Sequence, residues 1–320
     1  MRIMSIIIST VLAVLIFAGC KPDYSENEVE IVRFDEYAVR MSPDSLAEIF
    51  PDALWALGVI NGYDDLSLLQ IAEIYRQSPV VKVFEPDVMR ILPNLDKQNE
   101  QLGSLKHNMS IMLPDAWFPE SVYGFVTPYN QSVFAVDSVM MIGLNHYLGY
   151  DYEGYEVFDG YKRKLKVAER IPYDVCEALL YIQYPFVKTV DDIISGMLYE
   201  GAIIYAELKL IKESSPRQAL GYDDAQWKWL EDNKANIWKV MAEKNLLYTQ
   251  DPLIMDKLLN PAPATGVIHP EAPGRTGRYV GYEIVKAYME KYPDTEISFL
   301  LSPGFYTDKT ILLKAEYSPN

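Results

Sequence analysis

The chain is 320 residues long, 49% hydrophobic and 23% charged, a globular composition that excludes collagen-like repeats, wholesale disorder and a multi-span membrane protein. Its 29 basic and 45 acidic residues leave a net charge of −16, so the surface repels phosphate backbones and nucleic acid is not an expected partner. Two cysteines exclude a disulfide framework, and three histidines leave little material for a zinc site.

The first element is a secretory signal over residues 1–19. Met1 to Ser5 carries one basic side chain, an apolar run follows to Phe17, and Ala18-Gly19 precede Cys20. As a helix the apolar core would reach roughly 18 Å, too short for a hydrocarbon layer of about 30 Å. Phe17-Ala18-Gly19-Cys20 resembles the lipobox of bacterial lipoproteins. That resemblance implies cleavage before Cys20 and acylation there, an anchor of several chains at about 0.8 kcal/mol per buried methylene. The mature chain would carry 28 basic and 45 acidic residues, a net of −17. Residues 20–28 then read as the lipidated Cys and a polar tether. Cys176, the remaining thiol, lies in a stretch of helical periodicity and is expected in the core.

Residues 29–320 read as one domain. Its first hundred residues are expected to be helical. Asp64-Asp65 can cap a helix with Leu66, Leu68, Leu69, Ile71 and Ala72 on its apolar positions. Ser78-Pro79 opens a second, and a longer helix runs from about Asn94 to Met112. Pro51, Pro79, Pro86 and Pro93 are expected to cut this half into short pieces.

The middle switches to the period of strands. Ser121–Val126 and Ser132–Val136, separated by Thr127-Pro128-Tyr129-Asn130-Gln131, read as a hairpin, and Val139–Leu144 as a third strand. A loop from His146 to Tyr161 then gathers Tyr147, Tyr150, Tyr152, Tyr155 and Tyr161 with Asp151, Glu153, Glu156 and Asp159. The basic run Lys162-Arg163-Lys164-Leu165-Lys166 follows it.

Helix returns in the last half. Segments are expected over Tyr173–Tyr184 (Pro172 in the first turn), Asp224–Tyr248, Pro252–Leu259 capped by Asp251, Thr276–Tyr292 and Asp308–Ala315. Thr189 and Asp192 form a capping-box-like pair that opens a long helix through Ile193, Met197, Ile204, Leu208 and Ile211.

That long helix carries Met197-Leu198-Tyr199-Glu200-Gly201-Ala202-Ile203-Ile204-Tyr205. With Arg33-Phe34-Asp35, Asn145-His146-Tyr147-Leu148-Gly149, Pro261-Ala262-Pro263 and Pro273 to Tyr282, it resembles the gliding-motility lipoprotein GldB family of Bacteroidetes over nearly all of the mature chain. That family is similar in turn to zinc-peptidase-like proteins whose active helix bears His-Glu-x-x-His, two imidazoles binding zinc around a general base. The resemblance implies an α+β fold, a predominantly helical zincin-like domain with a small, mostly antiparallel sheet. In the matching window Glu200 is kept, but Tyr199 and Ile203 stand at the two ligand positions, and Ile cannot bind a metal. His107, His146 and His269 form no H-x-x-x-H pair. The expectation is therefore a pseudo-peptidase without cofactor, anchored in the envelope (the outer membrane is favoured) and working by binding other envelope proteins.

Glu200 is read either as an interior acid paired with a basic or hydroxyl neighbour or as a retained cleft residue. Tyr199, Tyr205, Arg275 and Arg278 join it as candidate pocket residues, and Tyr150, Tyr152 and Tyr155 as candidates for interaction. Two alternatives stay open: a hydrolase using Glu200 with unrecognised metal ligands, and a glycan-binding surface lipoprotein using the tyrosine loop. Pro273-Gly274-Arg275-Thr276-Gly277-Arg278 lacks the order and the Lys of a phosphate loop and reads as a helix entry.

Overall fold

Among the described residues a four-stranded sheet, its two central strands buried, packs against helices from both halves of the chain. The computed structural model describes residues 28–63, 65–187 and 192–319. The signal, Cys20, nearly all of the tether, Asp64 and Thr189 therefore lie outside the described residues.

Strand β1 (Ile31–Arg33) leads into α1 (Phe34–Arg40), α2 (Pro43–Ile49), α3 (Pro51–Asn61), α4 (Leu68–Gln77), α5 (Pro79–Ile91) and α6 (Asp96–Met112). Proline opens several of these helices: Pro43, Pro51 and Pro79 stand in first turns, where no N–H is needed. Pro86 is different. It lies inside α5 and does not end it. Pro86 and Lys82 are both exposed, so the carbonyl that Pro86 leaves without a donor is on the wet side of the helix. The cap of α4 also differs from the expected Asp64-Asp65. Ser67 accepts from the Gln70 amide while the Gln70 side chain accepts from the Ser67 amide, a complete capping box.

The sheet corrects two expectations. Strands β2 (Ser121–Phe125), β3 (Val133–Val136) and β4 (Val139–Gly143) join β1 in the order β1-β2-β4-β3. β1 pairs parallel to β2 (Ile31 with Val122), β2 parallel to β4 (Val122 with Met140), and β3 antiparallel to β4 (Val133 with Ile142). The sheet is thus largely parallel, and the hairpin joins β3 to β4 rather than β2 to β3. The helical half from α1 to α6 supplies the long crossover that parallel β1 and β2 require. Thr127 to Ser132 spans the gap that β4 fills. Asn145 pins this loop by accepting from the Thr127 amide and donating to the Thr127 carbonyl, both at 2.9 Å. Asp137 makes the real turn in the left-handed region (φ 52°), which Asp tolerates. Residues Val139 to Gly143 are buried throughout, as a central strand covered on both faces must be.

The second half comprises α7 (Gly160–Arg163), α8 (Ile171–Gln183), α9 (Ile193–Leu210), α10 (Pro216–Ala219), α11 (Asp224–Glu243), α12 (Pro252–Leu259), α13 (Thr276–Lys291), α14 (Ile297–Leu300), α15 (Pro303–Tyr306) and α16 (Ile311–Ala315). Asp192 is the cap of α9, its carboxylate accepting from the Ser195 amide. Helix α11 stops at Glu243, short of Tyr248, because Asn245 turns left-handed just beyond it. Most of α9 is buried, and α13 crosses it at backbone contact through Gly201 and Gly281. Helix α6 ties the halves together, with Asn108 donating to the Leu210 carbonyl at 2.9 Å. Cys176 is buried, as expected, and burial pushes its thiol well up. Among the described residues no helix is long and apolar enough to cross a membrane.

Candidate functional site

Helix α8 presents one charged face. Arg170 just before it, then Asp174, Glu177 and Tyr181, recur at three- to four-residue steps and so line up along one side. Opposite them stand Glu200 from α9 and Arg275 and Arg278 from the entry of α13. Together with β3 and the basic segment Lys162–Lys166 they enclose a cavity of about 870 Å³.

Its floor is an ion-pair cluster. Arg170 forks onto Asp174 at 2.7 and 3.2 Å and donates to the Gln218 and Ala219 carbonyls. Tyr147 donates to the other Asp174 oxygen at 2.9 Å. Arg278 reaches Glu177 at 2.5 Å and Glu200 at 3.0 Å, and the Tyr181 hydroxyl lies 3.1 and 2.8 Å from the same two carboxylates. The two acids divide one guanidinium unequally. Burial works against both, yet the guanidiniums of Arg278, Arg170 and Arg275 hold Glu177 at about 2, well below the ordinary range. Glu200 is pushed up by burial, Arg278 opposing it, with the charge of Glu177 adding to the rise. Glu207, one step deeper, has no hydrogen-bond partner on either oxygen among the described residues, and burial raises it well above its usual value.

Of the sequence candidates, the structure brings Glu200, Arg275 and Arg278 to this cavity. Tyr199 does not line it: its hydroxyl donates to the Tyr184 carbonyl at 2.8 Å and its ring packs against Phe186 and Tyr306. Ile203 is fully buried. Tyr205 also lies off the cavity, half-buried, with the Lys209 ammonium 5.3 Å above its ring. The tyrosine loop is folded into short 3-10 turns. Tyr155 is buried and donates to the Asn145 carbonyl, and Tyr152 donates to Asp87 at 2.8 Å. Tyr150 stays 38% exposed beneath the Arg163 guanidinium and lines a neighbouring cavity of about 680 Å³ with Arg170. The basic run is only partly a wet face, because Lys164 pairs with Asp223 and Lys166 sits over the rings of Tyr155 and Phe158. Arg170, Asp174, Glu177, Tyr181 and Lys166 were not foreseen as site residues; the four-residue steps from Arg170 to Asp174 and from Glu177 to Tyr181 were the available signal.

Two more facts bear on chemistry. Among the described residues no group of three or more His, Cys, Asp or Glu is arranged to hold a metal ion. The three histidines are separate: His146 is buried with Nδ1 2.8 Å from the Ser132 hydroxyl, and His269 lies against Trp229.

A sequence profile described as Gliding motility protein GldB matches residues 19–319. The chain belongs to the GldB family. No curated protein and no solved structure matches it. The GldB family is one of gliding-motility lipoproteins, so a lipid anchor goes with membership, and it is not a known enzyme family. The zincin likeness expected alongside it has no counterpart in these comparisons.

Burial, with the nearby Lys166 charge, lowers His146 to about 4 in this GldB chain. An unfolded chain takes up that proton near pH 6.5, so the neutral buried imidazole contributes nothing above 6.5 and costs stability progressively as pH falls to 4. The loss should reach about 3 kcal/mol. In urea unfolding from pH 6.5 down to 4, His146→Asn is expected to lose stability less steeply than the wild type. Parallel profiles would contradict the assignment.

Proposed function

We propose that this chain is a lipid-anchored, non-catalytic envelope protein of the gliding machinery that acts by binding other envelope proteins. In this reading Cys20 carries the lipid, residues 20–28 space the body from the membrane, and residues 29–320 fold as one zincin-like domain that has lost its metal. The outer membrane is the favoured location. One observation carries the non-catalytic part: Glu200, where a peptidase would keep a general base free beside its metal, is bound to Arg278 and Tyr181. Its flanking positions point the same way, since Tyr199 is spent on the Tyr184 carbonyl and Ile203 on core packing. A hydrolase would need both a released Glu200 and a ligand set drawn from dispersed histidines.

Elemental analysis of the purified full-length protein tests this. Zinc well below one equivalent, unchanged in Glu200→Gln, is expected. Stoichiometric zinc that disappears in Glu200→Gln would favour the hydrolase. Labelled palmitate should enter the wild type and not Cys20→Ala, and crosslinking in intact cells should return envelope proteins as neighbours.

A further inference from the structure

The charge of the cleft runs against the charge of the molecule. On a chain of net −16, this cavity gathers Lys162, Lys166, Arg170, Arg275 and Arg278 against Asp174, Glu177 and Glu200. The acids are committed, Asp174 to Arg170 and the two glutamates to Arg278. Lys162 has its own partner in Asp159. Glu207 does not line the cavity, and burial pushes its carboxyl well up.

Two cationic groups, Arg275 and Lys166, lack a carboxylate partner among the described residues, and a third, Arg278, keeps one donor unspent. Arg275 is only 8% exposed, donates to the Leu220 carbonyl at 2.8 Å, and forms no ion pair with any described carboxylate. A guanidinium has five donors, so most of its fork is unspent. Arg278 is 5% exposed, and its buried Nε, 3.0 Å from a Glu200 oxygen that is out of line, has no hydrogen-bond partner among the described residues. Lys166 is held over two aromatic rings, its ammonium 4.7 Å from the Phe158 centroid, and forms no ion pair among the described residues. Gly221 presses bare backbone against this group: a Cβ there would stand 2.9 Å from an Arg275 nitrogen and 3.8 Å from one of Arg170. Guanidiniums gathered this closely, out of water, repel one another, and burial together with the charges of Arg278 and Arg170 lowers Arg275 from its usual value.

We propose that the cleft binds an oxyanion, a carboxylate or a phosphate group, held by Arg275, Arg278 and Lys166, with Phe158, Ala178 and Leu259 receiving the apolar remainder of the ligand. Guanidinium and ammonium donors in a partly dry site are the chemistry that recognises either group. The assignment rests on the reading of the cleft as a binding rather than a catalytic surface.

Calorimetric titration of the purified full-length protein in chloride buffer tests it, with inorganic phosphate, acetate, and a short apolar peptide carrying a free or an amidated C-terminus. Saturable binding of phosphate assigns a phosphate source; binding of acetate or the free-acid peptide but not the amide assigns a carboxylate. In either case Lys166→Gln should weaken binding by about fivefold or more. Arg275→Gln should abolish it, and if circular dichroism shows that variant unfolded, Lys166→Gln decides alone. No saturable heat from any titrant at about 10 mM, or equal affinity in wild type and Lys166→Gln, overturns the proposal. Cleavage of the peptide during titration would instead overturn the non-catalytic reading and leave the oxyanion contact standing.

Discussion

Arg278→Met is expected to cost about 3–5 kcal/mol of unfolding free energy at pH 7, because it leaves buried charge without its partner. Among the described residues Arg278 is the one guanidinium paired with both Glu177 and Glu200. Without it Tyr181 alone bridges two carboxylates in a site that excludes most water. One of the pair would take up a proton, and Glu200, already raised by burial, is the one expected to do so. The deficit should depend on acidity in a definite direction. In the folded wild type Glu177 is held at about 2, against an ordinary glutamate near 4.3 when unfolded. Its contribution is therefore complete above about 4.3 and is lost as pH falls toward 2. Urea unfolding of wild type and variant should give curves that differ most at neutral pH and converge in acid. Adding Glu177→Gln and Glu200→Gln to Arg278→Met should recover part of the loss, since neutral partners no longer need the cation. A single variant within about 1 kcal/mol of the wild type at pH 7 would mean that the cluster is not the electrostatic unit described.

How much of this was legible beforehand follows from where the information is local. A helix end set by a side chain a few residues away was readable: Pro252 to Leu259 behind the Asp251 cap is found as expected. Strand pairing was not, because it depends on what lies between segments distant in sequence. Two alternating runs joined by Pro128 and Asn130 satisfy every local rule for a hairpin, yet β4 inserts between them. The clue was in β4 itself: Val139-Met140-Met141-Ile142 is continuously apolar, the pattern of a strand covered on both faces rather than of an edge. The site divides the same way. Glu200 was singled out by resemblance, and its pairing with a basic or hydroxyl neighbour was one of the two readings of it. That the partners would be Arg278, about eighty residues away, and Tyr181 on another helix could not be read from spacing. Glu177 escaped notice because its importance comes from sharing that partner, which is a property of the packed state.

Gly281→Ala is the second substitution expected to have a large effect, and its cause is steric. Where α13 crosses α9, a Cβ on Gly281 would stand 1.8 Å from the Met197 carbonyl oxygen, and one on Gly201 2.2 Å from the Gly281 carbonyl carbon. These neighbours are backbone atoms in the middle of helices, so no side-chain rotation relieves the clash and the helices must move apart. An alanine gains about 1 kcal/mol over glycine in helix propensity. Overpacking a tight contact costs about 1–3 kcal/mol and more where backbone must shift. The clash should win, with a net loss of about 2–3 kcal/mol in urea unfolding. Gly266→Ala is the control: nothing among the described residues lies within 4 Å of its added Cβ, so stability should change by less than about 0.5 kcal/mol. The consequence reaches the cleft, because Arg278 sits three residues before Gly281 on the same helix while Glu200 adjoins Gly201 on the other. Separating the helices draws the guanidinium away from Glu200 without changing a charged residue. Gly281→Ala and Arg278→Met should accordingly prove less than additive when combined, because the first already loosens the ion pair that the second removes. Strict additivity would show that the crossing and the charge cluster are independent, and that the close approach of the two glycines serves packing alone.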